Sequence, residues 1–329
     1  MLALGWYCPS EGDGHWLGTR QPERPPDIAY LASVAQAAED AGAQEILIPN
    51  GSVNDSFAPD ARFMESWTTA SALAAMTRRI RLLVAVNPAA LQPELAAHQA
   101  QTLWSIAPDR IAINLVAGGG PDAGYGAPQL DHEARYARLG ELADALRERF
   151  PGPLYLGGAS EAAKALAARV ADTYLMWGEP PDRIAERIRE MRDLAGGRPL
   201  RFGLRIHLIA RSGGAEALDA ARELVSRAEV AGDRAAEYGG FDSEGQARMN
   251  ALPADEEGWV SPGLWAGIRA VRGGAGTALV GSHGRVAGLL DEYRRAGVDL
   301  VIASGYPHLE EVTRVGRRVW PRLTARAVA

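Results

Sequence analysis

Cysteine is almost absent: Cys8 is the only one among 329 residues. One thiol closes no disulfide within the chain and builds no cysteine-based metal cluster. Lysine is as scarce. Lys164 stands alone beside many arginines, a bias that fits a GC-rich genome better than a function. No apolar run approaches the ~18 residues of a membrane-crossing helix. The opening MLALGWYCPSEGDG has neither a basic start nor a long apolar stretch, so it does not read as a signal peptide. A cytoplasmic protein is expected. The net charge of -6 argues against broad nucleic-acid binding. Also missing are a Gly-x-Gly-x-x-Gly turn after the first apolar run, a P-loop and a His-x-x-x-His pair. NTP and metal chemistry therefore have little support, and no metal is expected.

What is present is a regular alternation. Short apolar runs occur at 2–7, 45–48, 80–86, 111–115, 154–156, 173–176, 202–210 and 300–303. Between them, amphipathic patterns with a period near 3.6 cover 27–41, 66–77, 93–106, 133–149, 161–171, 181–194, 215–230, 285–296 and 309–318. Buried strands alternating with helices predict an α/β chain with a parallel sheet. Eight such units close most economically into a (β/α)8 TIM barrel, here one domain over 1–329. The open, doubly wound sheet is the alternative. Two stretches break the rhythm, 51–63 and the longer 231–281, and both are expected as insertions at the C-terminal mouth, where barrel active sites lie. Within the second, Arg272-Gly273-Gly274-Ala275-Gly276 reads either as the hinge of a lid or as a flexible surface loop.

Chemistry concentrates after the strands. Arg205 and His207 are two apart, so the period of two puts them on one strand face, with Leu204, Ile206 and Leu208 on the other. The apolar face suits the helices, which turns Arg205 and His207 inward. A buried arginine needs an anion or a carboxylate, so this pair reads either as an anion site or as an internal ion pair. Gly157-Gly158-Ala159-Ser160 opens a helix, where N–H groups can hold a phosphate and where Ser160 can also serve only as an N-cap. Trp177 ends the next strand and can wall a planar ring or simply pack. Tyr306 follows the last strand as a hydrogen-bonding group, and His308 reads as a helix cap. The stretch 10–16 is a polar loop after the first strand.

These segments resemble the flavin-dependent alkanesulfonate monooxygenases, a branch of the bacterial-luciferase-like superfamily. The resemblance rests on GDGHWLGT, ILIPNG, DHEARY, LYLGGAS, YLMWGEPPD, FGLRIHLI, DSEGQARMNAL, LWAGIRAVRGGAGTALVG and SGYPHLEE, which occur in family order over most of the chain. It implies the same barrel and a two-component system: an NAD(P)H-dependent reductase supplies reduced FMN. With O2 the enzyme then cleaves the C–S bond of a small anionic sulfonate or related organosulfur compound to an aldehyde and sulfite. Carried over by position, the catalytic group is Arg205, His207, Arg272 and Tyr306, with Arg272 reaching in as the lid closes. The flavin site is His132, Tyr136, Gly158 and Ser160, with Trp177 at its wall. A homo-oligomer, dimer or tetramer, is expected. The chain departs from the family in four places. The family's cysteine near the second βα loop has no counterpart, Arg20 replaces an acidic residue, Asn87 replaces an arginine, and the 137–153 connection is short. They imply a remodelled substrate pocket, with Arg20 either a second anion site or solvent-facing. A deazaflavin-dependent hydride-transfer enzyme and a non-catalytic flavin-binding subunit are the competing readings.

Overall fold

A computed structural model describes residues 1–51, 53–54, 56–88, 91–118, 130–230 and 243–326. Eight parallel strands form a closed barrel: β1 (Ala3–Tyr7), β2 (Glu45–Ile48), β3 (Arg81–Val86), β4 (Ile111–Leu115), β5 (Leu154–Gly157), β6 (Thr173–Trp177), β7 (Arg201–Arg211) and, closing the ring between β7 and β1, β11 (Leu300–Ser304). Each expected strand is found at its predicted place. The helices between them are α1 (Ile28–Asp40), α2 (Ser66–Met76), α3 (Pro93–Ile106), α4 (His132–Arg149), α5 (Glu161–Val170), α6 (Pro181–Leu194) and α7 (Gly214–Val225). Their starts are written in the sequence. Asp27, Asp131 and Ser160 accept first-turn N–H groups as N-caps, and Pro93 and Pro181 occupy the first helical position, where no N–H is needed.

The strand alternation sorts two apolar layers. Leu4, Ile46, Val84, Ile113, Leu156, Leu204 and Ile206 pack outward against the helices. A smaller inner cluster of Ala3, Tyr7, Leu47, Leu83, Ala112, Tyr155 and Ile302 fills the barrel. Its lower end carries a polar plug: the Tyr155 hydroxyl donates to Glu45 Oε2 at 2.8 Å, and Arg81 lies 3.6 Å from the same carboxylate.

The structure differs from the sequence reading near the mouth. β7 is eleven residues long, more than the barrel wall uses. Gly203–His207 pair with β11, and His207–Arg211 continue upward to pair with β10 (Ala278–Ser282). β10 is joined antiparallel by β9 (Leu264–Trp265), and β9 by β8 (Trp259–Ser261). The stretch expected as an insertion thus supplies backbone partners for a strand that overshoots its barrel. α7 stops at Val225, short of the expected 230, because Glu229 and Val230 N–H both turn to the Gly18 carbonyl. Among the described residues the remaining α-helices are α8 (Glu244–Asn250), α9 (His283–Ala296), α10 (His308–Arg314) and α11 (Trp320–Arg326). Residues 231–242, the first part of the expected lid, lie outside the described residues. Among the described residues no helix is long and apolar enough to cross a membrane.

Candidate active site

The strand ends frame a cavity of about 340 Å3, a size typical of small-molecule and cofactor sites. One end is built by two helix starts. α4 presents His132 and Tyr136, four residues apart and therefore on one face, with ring centroids 4.8 Å apart. The β5–α5 turn presents Gly158 and Ser160. Gly158 has φ +144°, and a Cβ there would stand 2.6 Å from the Ala163 Cβ and 3.3 Å from the Tyr136 hydroxyl. Glycine thus keeps a hollow open between the Tyr136 hydroxyl and the α5 N-terminus, whose first N–H groups point outward and favour a phosphate. The Ser160 Oγ accepts from Ala163 N–H at 3.2 Å. Both readings of Ser160 are therefore compatible: it is the cap, and it borders the cavity.

Leu175, Met176 and Trp177 give the cavity apolar lining, and Asn50, Asn87 and Asn114 give it amides. Asn114 is the polar residue in the otherwise apolar β4. Its buried Oδ1 has no hydrogen-bond partner among the described residues, an acceptor that a ring N–H can satisfy. α8 and the 272–276 segment cover the top. Trp177 lies under Gly245 and Gly274, and Gln246 Oε1 accepts from Gly274 N–H at 2.9 Å. Arg187 and Arg248 reach Glu179 at 2.9 and 3.0 Å.

Arg205 also borders the cavity. It is 6% exposed, and its guanidinium lies over the Tyr7 ring at 4.4 Å. Nη1 donates to the Ile206 carbonyl at 3.1 Å, while Nη2 is buried with no partner among the described residues. Burial, then the Arg272 charge, pulls its pKa down to about 10. It is still a cation at neutral pH, bordering the cavity and, among the described residues, without a carboxylate hydrogen-bonded to it.

Of the four residues expected to meet the ligand, only Arg205 borders the cavity. The other three are buried behind it. His207 stacks against Tyr306 at 5.8 Å. Its Nε2 lies 2.8 Å from the Ala275 carbonyl, and its Nδ1 lies 2.7 Å from the Ser304 hydroxyl. A carbonyl only accepts, so Nε2 carries the proton and Nδ1 accepts from Ser304. Burial, followed by the Arg205 and Arg272 charges, holds the imidazole well below its usual pKa, and it stays neutral. Arg272 is already seated in the interior. It is buried, donating to the hydroxyls of Tyr306 and Tyr7 and to both oxygens of Glu11, all at 3.3 Å. The glycines around it permit close packing: a Cβ on Gly276 would lie 2.5 Å from the Arg269 Cβ.

Sequence reasoning missed Glu11 and Tyr7. Glu11 lies in the loop read only as polar, and its partner Arg272 is 261 residues away. Tyr7 follows from the period of two in β1, but its contact with two guanidiniums does not. Of the departures, Arg20 faces solvent and Asn87 lines the cavity. In the 51–63 stretch the Asn54 amide donates to the Glu11 and Arg62 carbonyls at 2.6 and 3.1 Å.

The buried histidines predict a pH dependence of stability. His207 and His308 both have depressed pKa values, so the unfolded chain binds protons that the folded chain refuses. Their stabilising contribution is present above the unfolded value near pH ~6.5 and is lost as pH falls below it. Each refused proton steepens the loss by about 1.4 kcal/mol per pH unit. Urea unfolding at pH 6.5, 6.0 and 5.5 should therefore show a slope that His207→Gln reduces by about one proton. An unchanged slope contradicts a neutral, buried His207.

Residues 2–300 match the luciferase-like monooxygenase family. Among solved structures, the chain is similar to a riboflavin lyase crystallised with modified FMN and riboflavin (18% identity, 100% of this chain and 92% of that one, TM-score 0.78). It is also similar to EDTA monooxygenase from Chelativorans sp. BNC1 (17% identity, 99% and 94%, TM-score 0.76). A third likeness is to a coenzyme F420-dependent secondary alcohol dehydrogenase (13% identity, 98% and 99%, TM-score 0.67). At these identities the likeness shows the fold alone, but the family match spans nearly the whole barrel. The chain belongs to the luciferase-like monooxygenase family.

Proposed function

We propose that this protein is a two-component flavin monooxygenase that cleaves the C–S bond of a small organosulfonate. The observation that carries this reading is Arg205: a buried cation whose Nη2 has no partner among the described residues, on the wall of the same cavity that His132, Tyr136, Gly158, Ser160 and Trp177 line. A lone buried charge is costly, and its fork suits the oxygens of a sulfonate.

The residues fit FMN. The hollow at Gly158 and the α5 start suit its phosphate, Trp177 and Leu175 suit a ring face, and the Asn114 Oδ1 suits a ring N–H. When bound in reduced form, FMN supplies the electrons for O2 activation, and a separate NAD(P)H-dependent reductase supplies it in that form. The balance is one sulfonate, one O2 and one reduced FMN giving aldehyde, sulfite, oxidised FMN and water. One oxygen atom enters the aldehyde, the other enters water, and the C–S electron pair leaves with sulfite. Within this reaction Arg205 binds and orients the sulfonate. α8 and Trp177 exclude water. His207, Arg272 and Tyr306 act as positioning residues, since their hydrogen bonds fix the wall on which Arg205 rests.

The deciding experiment couples the protein to an FMN reductase under O2 with a panel of C1–C8 alkanesulfonates and reads sulfite. Sulfite release that depends on this protein is expected. Its absence across the panel, with reduced FMN bound, removes the sulfonate reading. Tight binding of a deazaflavin with none of FMN removes the oxygen chemistry as well.

A further inference from the structure

Glu11 is the one buried carboxylate among the described residues that lies against the guanidinium pair, and it divides that pair unequally. Its two oxygens are fully engaged. Oε1 accepts from the Tyr7 hydroxyl at 2.7 Å and from Arg272 Nη2 at 3.3 Å, and Oε2 accepts from the Ser56 hydroxyl and from Arg272 Nη2 at 3.3 Å. Glu11 and Arg272 are 4% and 5% exposed, so solvent does not screen the pair. Arg272 is thus neutralised from inside the protein, whereas Arg205, across the Tyr7 ring, has no such partner among the described residues.

We propose that Glu11 sets the charge of the substrate: the site takes a monoanion and discriminates against a dianion. This rests on the proposed reading of Arg205 as the sulfonate anchor and deepens it. With Glu11 in place, the buried pair of arginines carries one uncompensated positive charge, which one sulfonate matches. A second anionic group beside Arg205 would stand in the field of the Glu11 carboxylate, which lies behind the cavity wall on the far side of the Tyr7 ring, in a dry site where like charges repel strongly. The loop 51–63 belongs to the same device. Ser56 holds Oε2, and Asn54 holds the Glu11 carbonyl, so that loop fixes where the carboxylate stands.

The test uses two probe anions of similar core, methanesulfonate and methanedisulfonate, titrated into flavin-free protein and followed by tryptophan fluorescence. Parallel titrations of Arg205→Met isolate the part of each signal that depends on Arg205. Wild type is expected to bind methanesulfonate at least about tenfold more tightly than methanedisulfonate, the scale of one like-charge contact in a partly desolvated site. Glu11→Gln keeps the side-chain shape, releases Arg272 and is expected to erase or invert that preference. Equal Arg205-dependent binding of both probes to the wild type overturns the inference, and this arm needs no variant to fold. A folded Glu11→Gln variant with the wild-type preference overturns it too. If no probe signal depends on Arg205, the anchor reading itself fails. If the charge preference holds while no sulfonate yields sulfite, the charge rule stands and the reaction assignment falls.

Discussion

Arg205→Met is expected to lower kcat/KM for a sulfonate by at least about 100-fold while making the flavin-free protein more stable. The two effects have one cause. Truncating a buried, charge-assisted contact to an anionic ligand costs about 2–5 kcal/mol of binding. The same guanidinium, in the flavin-free protein, is a buried cation whose Nη2 has no partner among the described residues. Replacing such a charge with an apolar side chain of similar volume commonly stabilises by about 1–4 kcal/mol. Part of that gain is offset by losing the contact with the Tyr7 ring, about 1–2 kcal/mol at a buried site. Denaturant unfolding in low-salt buffer should therefore place the variant about 1 kcal/mol above wild type, and added methanesulfonate should close the gap by stabilising only wild type. Arg205→Lys keeps the charge but not the fork, and an intermediate loss of about tenfold is expected. A clear drop in the stability of Arg205→Met would show that the guanidinium serves the fold.

Gly158→Ala is the second large effect. At φ +144° an L side chain is strained, and its Cβ would meet Ala163 at 2.6 Å and crowd the Tyr136 hydroxyl. Strain and crowding together should cost about 2–4 kcal/mol of stability. The added methyl also intrudes where the cofactor phosphate is placed, so FMN affinity should fall by at least about 30-fold, the scale of about 2 kcal/mol. Ser160→Ala is the control. It loses an N-cap worth about 1 kcal/mol of stability but fills no space, so FMN affinity should change only a few-fold. Fluorescence titration of both variants separates the two effects. A folded Gly158→Ala protein that binds FMN like wild type would move the phosphate away from this turn.

How much of this could be read from the letters differs between barrel and site. The eight barrel strands are near-continuous apolar runs because both faces are buried, and such runs are visible without any partner. The inward aim of Arg205 and His207 follows from the period of two alone, and β7 obeys it. The site fared less well, because burial of a charge is decided by distant chain. Nothing near Arg272 announces that Glu11 neutralises it, and nothing near His207 announces that the Ala275 carbonyl and Ser304 occupy both ring nitrogens. Glycines around Arg272 suggest a hinge when read locally, yet Gly276 is there because Arg269 packs against it. The strands β8 to β10 escaped notice for another reason. β8 and β9 are only three and two residues long, and β10, an ordinary five-residue strand, has its place because β7 extends beyond its barrel partners.

The central claim is that Arg205 is the anchor of an anionic substrate in the cavity that also holds FMN. A crystal structure of the protein with FMN and ethanesulfonate tests it most directly. The account predicts a sulfonate oxygen about 3 Å from Arg205 Nη2, the flavin ring beside Trp177 and its phosphate at the turn of Gly158. A sulfonate bound elsewhere, with Arg205 Nη2 paired to a carboxylate of the protein itself, would contradict it.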